Sequence, residues 1–309
     1  MATTPWGINM SYIEDQRKRA VSQRDQLFRD PGNGIYRKKE REFVLKDPKL
    51  NLWAGIREDA IDYFKRNDIV WWSGSDIPPG HLLSSQIACV NHMFPLRQRA
   101  DLALNFLNHL SEDFVDVAIL DDGFVEFEVI GAENYLNERS HQRGANSTSI
   151  DAVMVGIKSD GSRVLVGIEW KYTESYPSES KYVAQRYERY NPLLMKLISP
   201  IETTEPEALY FEPYYQLMRQ ALLLAGMVEA KEYNCSSFLH LHVVPEENKE
   251  LRNTNPSPGL DGDDMSKAWK SVLRNPNQYQ ILPPEVLFAG IKKCSDAAAL
   301  WDYLNARYW

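Results

Sequence analysis

Cysteine is scarce in this chain of 309 residues: Cys89, Cys235 and Cys294 are odd in number and widely scattered. They make neither a disulfide framework nor a zinc site, and they suit a reducing compartment, so a cytoplasmic protein is expected. Long apolar runs are missing too. Nothing approaches the roughly 20 residues of a membrane span, so no membrane partner is expected. Met1–Trp6 lacks the basic-then-apolar pattern of a signal peptide. There is no phosphate-cradling G-x-x-x-x-G-K-S/T loop, and Ser84-Ser85 sit in no nucleophile-elbow pattern. Walker-type nucleotide use and serine-hydrolase chemistry are therefore not expected. Positive charge is also short, 35 Lys and Arg against 43 Asp and Glu, a net −8. That argues against a generic nucleic-acid binder, which carries a basic surface. Local basic runs and bound metal ions can offset it.

What is present is ordinary globular composition, 43% hydrophobic and 25% charged, in a chain long enough to bury a substantial core. The clearest break in the first hundred residues is Asp76-Ile77-Pro78-Pro79-Gly80. We read 1–80 as a helical accessory region, with polar helices near 9–30 and 57–67, and 81–309 as the main domain, with packing of the two as one domain the alternative. Past the break, 81–93 and 96–110 read as helices separated by Pro95. Runs 115–120 and 125–130 read as strands joined by a hairpin turn at Asp121-Asp122-Gly123. Residues 173–209 read as a long insertion, 213–225 as a helix and 236–244 as a strand. An aromatic-rich helix closes the chain near 295–308.

The chemistry concentrates in a second hairpin. Ser149–Ile157 and Arg163–Lys171 are β-branched, apolar runs around a Ser-Asp-Gly turn. A three-residue loop, Ser159 to Gly161 with Gly161 left-handed, pairs Lys158 with Ser162. That register puts Asp151 opposite Glu169. Alternation then gives Asp151, Glu169 and Lys171 one shared face. A two-residue loop would instead move Asp151 to the face of Trp170. Facing carboxylates at the end of apolar strands repel unless a cation lies between them, and unpaired they are costly to desolvate. A hard divalent ion takes one or two carboxylates plus water and phosphate oxygens. The lysine would orient or activate water, or stabilise charge on a phosphate. The plainer reading is a surface hairpin with solvated charges.

Asp151 followed by Glu169-Trp170-Lys171 resembles the D…(D/E)xK signature of the PD-(D/E)XK nuclease superfamily. The strings Arg143–Ala152, Glu169–Glu174 and Ser84–His92 are similar to a bacterial family of restriction endonucleases, over roughly residue 80 to the end. Ile150 stands where the signature's name has proline. The resemblance implies an α/β fold with a restriction-endonuclease-like αβββαβ core, its mixed central sheet flanked by helices. It implies Mg²⁺ or Mn²⁺ held by Asp151 and Glu169, Lys171 acting on the attacking water, DNA as partner and substrate, and a homodimer if both strands are cut.

Other residues complete the expectation. Gln216, with Gln220 four residues on and Arg219 beside it, lies on one helix face, and some nuclease lineages place a glutamine there. A third acid is ambiguous between Glu126, Glu128 and Glu138. Glu138 is favoured because it falls within the family-like string, and Gln86 is a further candidate. His240 and His242 read as buried or rim histidines rather than metal ligands. The basic, aromatic run Lys181–Tyr190 reads as a helix packing its tyrosines inward before it reads as a nucleic-acid track. Asp261–Asp264 lacks calcium-loop spacing. The expected function is a metal-dependent deoxyribonuclease of restriction or defence type. The alternatives are a catalytically silent nuclease-like module that binds nucleic acid or a protein, and a hydrolase using Glu126 and Glu128.

Overall fold

In the computed structural model, the described residues are 11–72, 74–143, 147–197 and 206–309. The N-terminal hexapeptide, Gly144-Ala145-Asn146 of the family-like string and part of the 173–209 insertion lie outside them. The chain runs α1 (Tyr12–Phe28), β1 (Asn33–Tyr36), β2 (Lys39–Leu45), α2 (Arg57–Arg66), α3 (Ser85–Met93), α4 (Ala100–Asn108), β3 (Phe114–Val117) and β4 (Glu126–Val129). It continues with β5 (Ile150–Lys158), β6 (Arg163–Trp170), α5 (Ala184–Leu197), α6 (Tyr214–Glu229), β7 (Ser237–Val243), α7 (Lys249–Arg252), α8 (Met265–Ser271), β8 (Tyr279–Leu282), α9 (Pro284–Leu287) and α10 (Ala298–Arg307).

The β5–β6 hairpin forms with the register expected from its turn. Ala152 pairs with Ile168 and Ile157 with Arg163. Lys158 N–H donates to the Ser162 carbonyl at 2.9 Å, and Gly161 sits at φ +81°, where a side chain would be strained. Continuing that register sets Asp151 opposite Glu169. Among the described residues six strands make one sheet, ordered β3-β5-β6-β7-β8 with β4 also on β5. β5 is antiparallel to β6, while β6, β7 and β8 are mutually parallel. This is a mixed α/β sheet flanked by helices, with the helix, three strands, helix, strand order of a restriction-endonuclease-like core.

From Ala152 onward along β5, alternation along the strands separates two cores. Ala152, Met154, Val166, Ile168 and Trp170 face α3, α4 and α10, against Ile87, Phe106 and Leu304. Val153, Val155 and Leu165 face α6, against Leu217 and Leu224. Gly167 makes the second contact possible: a Cβ there would lie 2.7 Å from the Leu224 methyls. α6 therefore lies close on β6 and brings its polar residues over the sheet.

Two expectations need correction. The segments 115–120 and 125–130 do not pair with each other as a hairpin. β3 and β4 both run antiparallel to β5, β3 at its C-terminal half and β4 at its N-terminal half, so they are one interrupted strand. The Asp121-Asp122-Gly123 turn bulges out between them, tied to Arg97 through Asp122 and to Gln98 through the Asp122 carbonyl. The first 80 residues are also not purely helical, because β1 and β2 form an antiparallel hairpin. Its turn places Arg37 and Lys38 at φ 49° and 63°, conformations that Asn-Gly would ordinarily announce. Leu52, Ile56, Phe64 and Trp71 share one core with Phe106, Trp170 and Leu300, so residues on both sides of the Asp76–Gly80 break bury the same apolar surface.

Candidate active site

Four strands place a row of polar side chains on the α6 side of the sheet, at the C-terminal end of β6. The β4–β5 register pairs Phe127 with Ala152 and Val129 with Ile150, so Glu128 falls opposite Asp151. β6 supplies Glu169, and β7 sets His242 against Glu169. Asp151 thus stands between two glutamates. Its Oδ2 accepts the Trp170 N–H at 2.7 Å, and its Oδ1 accepts no hydrogen bond from the described residues.

Each neighbour is held in turn. Glu169 is buried; its Oε1 accepts from the Lys171 ammonium at 2.6 Å and its Oε2 from the Gln220 amide. Gln220 also donates to the Ser149 carbonyl at 3.0 Å and receives His240 Nε2 on its Oε1 at 3.2 Å, so both its N–H groups are engaged, one of them on Glu169. Lys171 donates a second bond to Gln216 Oε1 at 2.7 Å. Its backbone N–H donates to the Val243 carbonyl, which extends the β6–β7 ladder one residue. Glu128, at φ 49°, accepts from Gln86 Nε2 at 2.9 Å and Ser149 Oγ at 2.8 Å. Its left-handed backbone turns the acid into this cluster rather than along the strand.

The electrostatics of the row are in conflict. Burial first, then the charges of Glu169 and Glu128, raise the Asp151 carboxyl well above its ordinary range. Burial raises Glu128 as well, with Glu169 adding to it against the opposing bonds from Gln86 and Ser149. Burial alone would lower Lys171, but Glu169, Tyr176, Glu174 and Asp151 outweigh it and hold the ammonium well above its usual value. The lysine therefore keeps its proton. Behind the sheet, burial and then the same acids push the Cys89 thiol well up, so it is inert as a nucleophile at neutral pH.

The structure brings together Asp151, Glu169, Lys171 and Gln216. It does not bring Glu138 to them. Glu138 accepts the Thr148 N–H at 2.6 Å, the Thr148 hydroxyl at 2.7 Å and the Tyr190 hydroxyl at 2.7 Å, which fastens α5 to the segment entering β5. The acid flanking Asp151 is Glu128. Glu126 points elsewhere, bonded by the Asp121 N–H and the Tyr233 hydroxyl, both at 3.1 Å. That separates it chemically from Glu128, and a two-glutamate sugar-hydrolase site has no support. His240 and His242 are buried and neutral, His240 pushed down to about 3 by burial and His242 well below its usual value. His242 Nδ1 meets the Tyr279 hydroxyl at 3.0 Å. Tyr182 and Tyr187 pack against Tyr210, and Tyr190 is buried. Asp264 caps α8 through the Lys267 N–H at 2.8 Å.

Among the described residues no group of three or more His, Cys, Asp or Glu is gathered as a ready-made metal cluster. Mg²⁺ does not require one, since it is held by one or two carboxylates, with water and phosphate oxygens filling the rest. The donor chemistry here fits such an ion. All-oxygen ligands are offered, one Asp151 oxygen has no donor among the described residues, and the acids repel in the absence of a cation. Also among the described residues, no helix is long and apolar enough to cross a membrane.

A mixed central α/β sheet flanked by helices is the architecture of a restriction-endonuclease-like class of protein. The family model described as Restriction Endonuclease associating with ARP matches residues 11–309, and the chain belongs to that family. No curated protein and no solved structure matches it.

Proposed function

We propose that the chain is a metal-dependent endonuclease that hydrolyses DNA phosphodiester bonds in restriction or defence. The observation that carries this reading is Asp151 flanked by Glu128 and Glu169, with a protonated Lys171 on Glu169. Asp151 and Glu169 would hold Mg²⁺ or Mn²⁺. That ion would offset their repulsion and supply Lewis-acid polarisation of the phosphate and of a bound water. The protein's own part is positional. Gln220 fixes Glu169, and Glu169 and Gln216 aim the ammonium. The raised proton affinity of Lys171 makes it a donor to developing negative charge or to a water molecule, rather than a base that takes the water's proton. The Trp170 N–H leaves the second Asp151 oxygen available as a ligand.

The test is cleavage of plasmid and linear DNA with Mg²⁺, Mn²⁺ or EDTA. Wild type cuts only with the divalent ion, and Asp151→Ala and Lys171→Ala do not cut. Cutting that survives both substitutions would refute the assignment.

Two observations favour a second element of the reading. The chain carries a net charge of −8, and the family is named for association with ARP. A partner that contributes DNA affinity would compensate the acidic surface, and the nuclease would then act as a subunit. Silence of the isolated, folded wild type on DNA, with cutting restored by that partner, would support this form over a catalytically silent module.

A further inference from the structure

Beside the acid row lies a cleft of about 310 Å³, lined by Tyr36, Trp72, His81, Gln86 and Glu174 among others. It is connected to the row by two side chains. Gln86 accepts the backbone N–H of Trp72 at 2.9 Å and donates to Glu128 at 2.9 Å. The Glu174 charge bears on the Lys171 ammonium. The wall is aromatic: Tyr36 and His81 meet edge-on at 4.8 Å, Trp72 and His81 at 6.4 Å. Trp72 is 52% exposed, a large indole left in water at the entrance to a site.

The polar groups in the cleft select what it can take. Burial, helped by Arg17, pushes His81 down to about 4, so the imidazole is neutral at physiological pH. Its Nδ1 accepts the Leu83 N–H at 3.3 Å, which assigns the proton to Nε2, a donor with no protein partner among the described residues. Glu174 spends Oε2 on the Tyr172 N–H at 2.6 Å and keeps Oε1 as an acceptor. Among the described residues no lysine or arginine lines the cleft; Arg37 lies over the Tyr36 ring at 5.3 Å, and Glu174 would repel a phosphate there. A flat, neutral heterocycle with an amino or ring N–H edge matches the wall, the donor and the acceptor together. The volume lies at the small end of ligand sites, enough for one base and too little for a duplex.

We propose that this cleft receives a single unpaired nucleobase adjoining the phosphate that faces Lys171, stacking it on Trp72. The proposal deepens the nuclease reading and rests on it. Extruded or single-stranded bases are held in this way, between aromatic faces with edge hydrogen bonds.

The experiment is a fluorescence titration of oligonucleotides carrying 2-aminopurine, single-stranded or bulged from a duplex. The protein is the full chain with Asp151→Asn, which binds without cutting, alone or combined with Trp72→Ala or Trp72→Phe. The expected result is quenched 2-aminopurine emission that Phe preserves and Ala abolishes, with binding about tenfold weaker in the Ala variant. An abasic nucleotide at the same position should weaken binding to a similar degree. Unchanged quenching and affinity in the Ala variant, or no binding by any form, would overturn the proposal. Plasmid cutting by wild type reports the underlying reading separately. Cutting with Trp72-independent binding removes the cleft and leaves the nuclease; Trp72-dependent binding by a protein that cuts neither alone nor with its partner does the reverse.

Discussion

Two carboxylate sites on this chain, at the buried Glu138 and the half-buried Asp151, are built on opposite principles. Glu138 is surrounded by donors: a backbone N–H and two hydroxyls satisfy it, and Arg219 buttresses Thr148 at 3.0 Å. Asp151 is surrounded by acids, and burial plus those acids raise its proton affinity. A buried acid satisfied by its neighbours is architecture. Acids that oppose each other are what a bound cation would relieve, and the proposed function rests on that relief.

Substitutions should separate the two sites. The largest effect expected is on cutting: Asp151→Ala abolishes divalent-dependent cleavage and Lys171→Ala lowers it about 10²–10³-fold, whereas Glu138→Gln retains full rate per folded molecule in a plasmid assay. Gln220→Ala, which frees Glu169 to wander, should cost about 10–100-fold in the same assay. The next effect is on stability. Removing the charge of Glu138 leaves its hydroxyl and amide donors mismatched, so Glu138→Gln lowers stability by about 1–3 kcal/mol in a denaturant melt. Asp151→Asn goes the opposite way in metal-free buffer, raising Tm by a few degrees, because the amide keeps the Trp170 bond and removes the repulsion.

The smallest effect is on pH dependence, and its sign follows from linkage. Asp151 and Glu128 bind protons more tightly folded than unfolded. Their contribution is therefore present below the ordinary carboxylate range and is lost as pH rises through their raised values. Metal-free wild type should lose Tm over that rise more steeply than Asp151→Asn. Parallel profiles for the two proteins would place the conflict elsewhere.

Much of the site was legible because turn chemistry fixes register. Three residues ending in a left-handed Gly161 set Asp151 against Glu169, and pleat alternation set Lys171 beside them. Gln216 was legible from helical spacing, since a helix after the hairpin packs back on the sheet. Glu128 was ambiguous because its place depends on which strand β4 pairs with and on a left-handed residue that is not glycine. The Asp-Asp-Gly turn spoke for a hairpin, but strand pairing across the sheet overrode it. Glu138 was favoured for its place in a string, and its Thr148 and Tyr190 contacts, which tie α5 to the segment entering β5, carry no local sequence signal. The aromatic cleft joins residues 36 to 174 and has no local signal at all.

The most direct test of the central claim is a thermal melt at neutral pH with increasing Mg²⁺ or Mn²⁺, run on wild type, Asp151→Asn and Glu138→Gln. Relief of buried repulsion by a cation predicts that Tm climbs with the ion in wild type and in Glu138→Gln, and stays flat in Asp151→Asn. An equal rise in all three, or none in any, would contradict it.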